Sequence, residues 1–241
     1  IGGDGIILVC PSKVADAKMK MYNLDGSEGK MCGNGIRCVG KFLYDHGMVD
    51  INEKDEITIE TLSGIKKLKA YTSGGKVNRL RVDMGKAILD PKEIPVVLDG
   101  DKVVDRPVEI AGKNYNITCV SMGNPHCVVF MDDIDNLDIE TVGPEFENDK
   151  LFPERVNTEF VTVLDDHTIK MRVWERGSGE TWACGTGACA VAVAACENGF
   201  CKKGEDIKIK LKGGDLIINY TDETVYMTGN AEKVFEGEVE V

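Results

Sequence analysis

The chain opens on a short apolar run, Gly5–Cys10 (GIILVC), closed by Pro11, which predicts a buried strand. Lys18–Asn23 reads as a second strand, ended by the turn residues Leu24-Asp25-Gly26-Ser27. At Gly33 the period changes. Ile36, Val39, Gly40, Leu43 and Tyr44 recur at helical spacing, so a helix is expected to begin at Cys32-Gly33 and stop at Gly47, a residue suited to the left-handed position after a helix end. Residues 57–62, 64–71 and 77–84 alternate between Gly and Ser turns and predict an antiparallel meander. The order then returns. Residues 115–121, 127–131, 160–164 and 168–175 read as strands, a second helix opens near Cys184, and 207–211, 215–219, 225–229 and 234–241 read as strands again. The second helix, Ala188–Asn198 (ACAVAVAACEN), is apolar nearly all round, as a fully buried helix is.

The two helix starts repeat each other in detail. Around the first the chain reads Asp25-Gly-Ser-Glu-Gly-Lys-Met-Cys32-Gly-Asn-Gly35, and around the second Arg176-Gly-Ser-Gly-Glu-Thr-Trp-Ala-Cys184-Gly-Thr-Gly187. Both carry a Gly-Ser pair, a Glu four residues before the cysteine, and Cys-Gly-x-Gly at the mouth of a helix. Such an internal repeat implies two half-sites related by a pseudo-twofold axis.

A cysteine at a helix N-terminus has its thiolate stabilised by the unsatisfied N–H groups and the macrodipole. Flanking glycines leave those N–H groups open to an anion. Two facing turns suggest a carboxylate held between helix ends with a sulfur on each face of its α-carbon, a geometry that suits stereoinversion: one thiolate removes the α-proton and the opposite thiol supplies another. If the α-C–H is on the order of ten pK units less acidic than a thiol, the mismatch is roughly 14 kcal/mol. Helix ends contribute at most about 2 kcal/mol apiece, and one well-placed oxyanion donor about 3–4 kcal/mol. Closure of the domains around the substrate, in a dry cavity with several donors, is therefore expected.

Composition narrows the setting. The 241 residues carry a formal net charge of −12, which opposes nucleic acid and anionic membrane surfaces as partners. Nine cysteines form an odd set without a CxxC pair, so neither a disulfide framework nor a metal site is signalled, and a reducing, cytoplasmic setting is expected. No run approaches the roughly 20 apolar residues of a membrane span. The sequence begins at Ile1, inside a Gly-rich stretch, which suggests that residues precede it.

Five segments carry a family resemblance: Asn23-Leu-Asp-Gly-Ser-Glu28, Met31-Cys-Gly-Asn-Gly-Ile-Arg-Cys38, Ser121-Met-Gly-Asn-Pro-His126, Phe152-Pro-Glu-Arg-Val-Asn157 and Glu175-Arg-Gly-Ser-Gly-Glu-Thr-Trp-Ala-Cys-Gly-Thr-Gly-Ala188. Together, in this order, they resemble the diaminopimelate epimerase family. The resemblance implies an α/β (α+β) fold of two similar, pseudo-symmetric domains, each a mostly antiparallel sheet wrapped around a central helix, with residues 1–83 plus 230–241 in one and 84–229 in the other. It implies a cofactor-independent isomerase, a homodimer, that interconverts LL- and meso-diaminopimelate, with Cys32 and Cys184 as the acid/base pair and Cys32 the donor in one direction. Asn23, Gly33, Asn34, Asn124, Asn157, Glu175, Arg176, Gly185 and Thr186 would contact substrate; Arg176 suits a distal carboxylate, Glu175 an ammonium, and the asparagines both donate and accept. His126 and Glu175 would tune the thiols, and Phe235 would contact a second subunit. Members of the family start with a further segment, bearing a His-Gly-x-Gly-Asn-Asp-Phe motif, that is not in this sequence. Gly5 stands where some members carry Gln.

Other readings use the same residues. A proline or hydroxyproline racemase also needs two cysteines, a thiol-redox protein needs cysteines placed to exchange electrons, and an anion-binding module needs the glycines alone. Cys10, Cys38, Cys119, Cys127, Cys189, Cys196 and Cys201 are expected to be packing residues. Arg37 is expected to be ion-paired or solvated, His46 and His167 to face solvent, and the acidic tail 232–240 to be an edge strand.

Overall fold

In the computed structural model, which describes residue 3, residues 5–51 and residues 56–238, the repeat at the helix mouths belongs to a longer one of seven elements. The first copy is β1 (Gly5–Cys10), β2 (Ala17–Asn23), β3 (Glu28–Gly29), α1 (Gly33–Asp45), β4 (Ile57–Thr61), β5 (Gly64–Ser73) and β6 (Lys76–Asp83). Then come β7 (Arg106–Ile110), β8 (Lys113–Ser121), β9 (Pro125–Phe130) and α2 (Ile139–Glu147). The second copy is β10 (Asn157–Asp165), β11 (Thr168–Glu175), β12 (Gly179–Thr181), α3 (Gly185–Glu197), β13 (Asp206–Leu211), β14 (Gly214–Tyr220) and β15 (Val225–Asn230). In each copy two strands form an antiparallel hairpin and a short third strand folds back on the second. The helix then crosses over to a strand parallel to that second one: β4 beside β2, β13 beside β11.

Two compact units result, Ile1–Asp83 with Thr228–Val241, and Met84–Met227. In the first, the strand order is β1-β2-β4-β5-β6. Strands β2 and β4 bury alternate residues, Ala17 and Met19, Ile57 and Ile59, as a two-residue period demands. Helix α1 lays Ile36, Val39 and Leu43 on this sheet. Gly40 permits the close approach: a Cβ there would lie 2.5 Å from Leu80 Cδ2 and 2.9 Å from Leu68 Cδ2.

The second unit orders its strands β14-β13-β11-β10-β9-β8-β7 and has two apolar centres. One surrounds α3, buried from Gly187 to Ala195 against β13 and β14, which bury Ile207, Ile209, Leu216 and Ile218. The other packs α2 over β8 and β10, with the Phe146 and Phe160 rings edge to face at 5.4 Å. Helices α1 and α3 also end alike. Gly47 (φ 65°) and Gly199 (φ 78°) take the left-handed position, and the next amides, Met48 and Phe200, donate to Leu43 and Ala195 carbonyls at 2.8 and 2.9 Å.

Four expectations need correction or extension. Strand β1, expected to be buried, leaves Ile6 and Leu8 exposed. Helix α2 was not legible, because Gly143 and Pro144 interrupt its period; Gly143 is there because the Trp174 ring lies on it, with Cγ 2.4 Å from where a Cβ would stand. Strand β7 also lay outside the reading. The expected strand 234–241 is absent from its described part: residues 232–238 are exposed and carry no strand, since alternation of Val and Glu there has no apolar surface to face, and residues 239–241 lie outside the described residues. Among the described residues, no helix is long and apolar enough to cross a membrane.

Candidate active site

Each unit caps its central helix with a cysteine. Cys32 has extended backbone (φ −128°, ψ 118°) and its Sγ accepts the Gly35 amide at 3.3 Å. Cys184 repeats this (φ −115°, ψ 110°), accepting the Gly187 amide at 3.4 Å. The sulfur thus takes the place of a Ser or Asp cap oxygen, and Gly33 and Gly185 follow as the first helical residues.

In the first unit, Asn23 lies exposed at the β2–β3 turn, where its Nδ2 donates to Ser27 Oγ at 3.0 Å. Asn34 is half-buried in the first turn of α1, its Oδ1 accepting from Arg37 Nη1 at 3.2 Å. Arg37 is buried, not solvated: it donates to the Gly33 carbonyl at 3.0 Å and to the Asn230 carbonyl at 3.2 Å, holding the helix mouth to the end of β15. Cys38 is exposed rather than packed, because it falls with Phe42 on the outer stripe of α1, which has no cover among the described residues. Phe235 stands exposed beyond β15.

In the second unit the predicted residues converge. The Asn124 Nδ2 donates to Thr186 Oγ1 at 3.3 Å, and that hydroxyl lies 3.5 Å from Cys184 Sγ. The Asn124 Oδ1 faces His126 Nε2 at 3.1 Å. Thr181 Oγ1 donates to Glu175 at 2.5 Å. The buried Asn157 is a brace: its Nδ2 donates to the Pro125 carbonyl at 2.8 Å and its Oδ1 accepts the Arg176 amide at 2.9 Å. Arg176 Nη1 donates to the Glu154 carbonyl at 2.9 Å. Burial pushes the Cys184 thiol well above its ordinary value, Glu175 and Glu159 push it further, and hydrogen bonds from Thr186 and Gly187 oppose them. Elsewhere, burial raises Cys196 to about 12 and Cys201 to about 11, which leaves them unreactive thiols.

Sequence reasoning missed two carboxylates. Glu159 is fully buried on β10, its Oε1 2.7 Å from His126 Nδ1 and its Oε2 without a partner. Only glycine fits above it: a Cβ on Gly187 would lie 2.5 Å from Oε1. Glu147, at the end of α2, accepts from Trp174 Nε1 at 2.7 Å, the Gly177 amide at 2.9 Å and Arg155 Nη1 at 3.1 Å, so it clamps the turn that carries Arg176.

A sequence model described as diaminopimelate epimerase matches residues 1–89 and 118–234. The chain belongs to the diaminopimelate epimerase family. The diaminopimelate epimerase of Acetivibrio thermocellus is 53% identical over 243 residues, covering 100% of this chain and 85% of that protein. The Methanococcus maripaludis enzyme of the same name is 51% identical, covering 100% and 86%. Among solved structures, a probable proline racemase from Agrobacterium radiobacter superposes with a TM-score of 0.72 at 17% identity, over 94% of this chain and 73% of that one. A Bacillus anthracis phenazine biosynthesis protein of the PhzF family gives 0.70 at 18% identity, over 100% and 86%. The mixed α/β fold of this chain is thus also found in proteins whose sequences are little like it.

Proposed function

We propose that this chain is an isomerase that performs its family's reaction, interconverting LL- and meso-diaminopimelate with two cysteine sulfurs and no cofactor. The observation that carries the reading is the duplicated cap: two helices, each entered through a cysteine whose sulfur accepts the amide of the third helical residue. Inversion of an α-carbon needs a proton removed from one face and delivered to the other, and one group cannot easily serve both. One sulfur, as thiolate, takes the α-hydrogen; the other, as thiol, gives its proton to the carbanion's opposite face. Each turnover leaves the pair with its protons exchanged, ready for the reverse direction.

Cys184 rests as a thiol, given the burial and the two carboxylates beside it. Glu175 is the larger influence of the two, a carboxylate that disfavours the Cys184 thiolate. The helix amides, that of Thr186 among them, and the Asn34 and Asn124 side chains are donors for the substrate carboxylate, Asn23 and Asn157 flank them, and Arg176 takes the distal carboxylate. The thiols work only when reduced, which suits a cytoplasmic protein. Phe235, exposed beyond β15, is the proposed contact of a homodimer.

Incubation with LL-diaminopimelate in deuterium oxide tests the reading. Deuterium entering one α-carbon with formation of the meso isomer is expected; reduced, folded protein that exchanges no deuterium overturns it. Proline and hydroxyproline in parallel reactions separate the racemase alternative.

A further inference from the structure

Glu159 is a carboxylate with no solvent contact, and the proposed mechanism does not use it. Its surroundings are specific. Oε1 meets His126 Nδ1 at 2.7 Å, His126 Nε2 meets Asn124 Oδ1 at 3.1 Å, Asn124 Nδ2 reaches Thr186 Oγ1 at 3.3 Å, and Thr186 Oγ1 reaches Cys184 Sγ at 3.5 Å. The direction of this chain is set at its buried end. Asn124 Oδ1 can only accept, so Nε2 must carry a hydrogen. A second hydrogen then lies between Nδ1 and Oε1. With both in place, the Asn124 amide donates to Thr186, and the threonine hydrogen is left for the sulfur. A neutral imidazole protonated on Nδ1 alone would present a lone pair to Asn124, turn its amide and draw the threonine hydrogen away from Cys184.

Resting on the reading above, we propose that Glu159 is a positioning residue: it shares a proton with His126 Nδ1, keeps a hydrogen on Nε2, and so orients Thr186 as donor to the Cys184 sulfur. The pair carries no net charge wherever the shared proton sits, so it acts through hydrogen-bond direction. Burial raises the proton affinity of the Glu159 carboxyl and the imidazole opposes this. The other ionisable groups near it are Glu175 on β11, Cys127 on β9 and Cys184 at the start of α3. The free edge Oε2 and the absence of any Cβ at Gly187 show a space shaped for a carboxyl group.

The chain has only three histidines, so nitrogen-15 spectra of the substrate-free protein isolate His126 from the exposed His46 and His167. The native protein is expected to show a hydrogen on Nε2 and a second, strongly deshielded one coupled to Nδ1. Glu159→Gln offers its amide oxygen to Nδ1, which leaves one ring hydrogen, on Nδ1; Nε2 loses its own, and kcat falls about tenfold with KM nearly unchanged. Glu159→Asp keeps both hydrogens. A native ring with a single hydrogen overturns the proposal, as does a Glu159→Gln protein with unaltered spectrum and kcat. If Glu159→Gln does not fold, the native and Glu159→Asp spectra decide. The spectra involve no substrate, so a wrong substrate assignment shows up separately, as inactive native protein with the expected ring hydrogens.

Discussion

The mouths of α1 and α3 share a backbone and differ in what lies behind it. At Gly35 a Cβ would meet Ile7 Cδ1 at 2.3 Å and Met19 Cε at 3.3 Å; at Gly187 it would meet the Glu159 carboxyl. Both sulfurs accept the same helix amide. One mouth is therefore backed by mobile apolar ends and the other by a buried ion-forming pair, Glu159 with His126. Duplication kept the cap, which binds and holds a sulfur, while the layer beneath diverged. The carboxylates that act on Cys184, Glu175 and Glu159, belong to its own unit.

The strongest test of the pair is the sulfurs themselves. Cys32→Ala and Cys184→Ala should each reduce epimerisation by at least about a thousandfold, the usual scale for loss of a positioned acid or base. Each should still unfold cooperatively in urea, since each sulfur receives one helix amide. An active variant of either kind would break the two-thiol reading.

Alanine at the two glycines separates the backings. Gly187→Ala drives a methyl group into a carboxyl with no room to leave, and overpacking of this kind costs roughly 1–3 kcal/mol. Gly35→Ala meets the tip of a half-exposed isoleucine, and a gain of about 1 kcal/mol in helix propensity offsets the displacement. Urea midpoints should fall clearly for Gly187→Ala and move little for Gly35→Ala. Equal losses would mean that the backing does not matter.

Alkylation sharpens the same contrast. Cys184 is 5% exposed with a raised thiol, and Cys32 is half-buried. Brief iodoacetamide treatment at pH 8, read by peptide mass, should label Cys32 on the order of tenfold faster than Cys184. Faster labelling of Cys184 would contradict the burial of the second mouth.

These differences also show what the sequence could reveal. The helix mouths were legible because Cys-Gly-x-Gly stands where the hydrophobic period changes from two to nearly four. Glu159 was not, because Asn157-Thr-Glu-Phe-Val161 lies in a strand covered on both faces, and spacing alone does not tell an inward carboxylate from an outward one. Its partner comes from tertiary register: β9 and β10 run parallel with Asn157 level with His126, which places Glu159 one repeat further along the same face. Arg37 misled for the reverse reason, a long cation that donates to backbone carbonyls as well as to Asn34, and one of those carbonyls, Asn230, is remote in sequence. The tail kept strand-like alternation without a surface to bury it.

The smallest expected effect lies at the parallel joints that hold each helix crossover. In the first unit Lys18 and Glu60 are direct partners across β2 and β4, with Nζ and Oε1 2.8 Å apart and Ser12 donating to Glu60 at 2.5 Å. In the second, Lys170 stands opposite Lys210 across β11 and β13, and Lys170 turns instead to Asp135 at 2.5 Å. Hydrogen bonds from Lys18 and Ser12 hold the Glu60 carboxyl below the usual glutamate value. A carboxyl so lowered contributes its stability above that usual value and loses it as pH falls through the lowered one. Glu60→Gln should therefore lower the urea midpoint slightly at neutral pH, by less than Gly187→Ala does, and the gap from the native protein should close as the solution is acidified. Because both groups are only partly buried, salt near physiological strength should narrow the gap as well, with a screening length of about 8 Å. Curves that stay parallel into acid would place the acid sensitivity of the first unit elsewhere than in this joint.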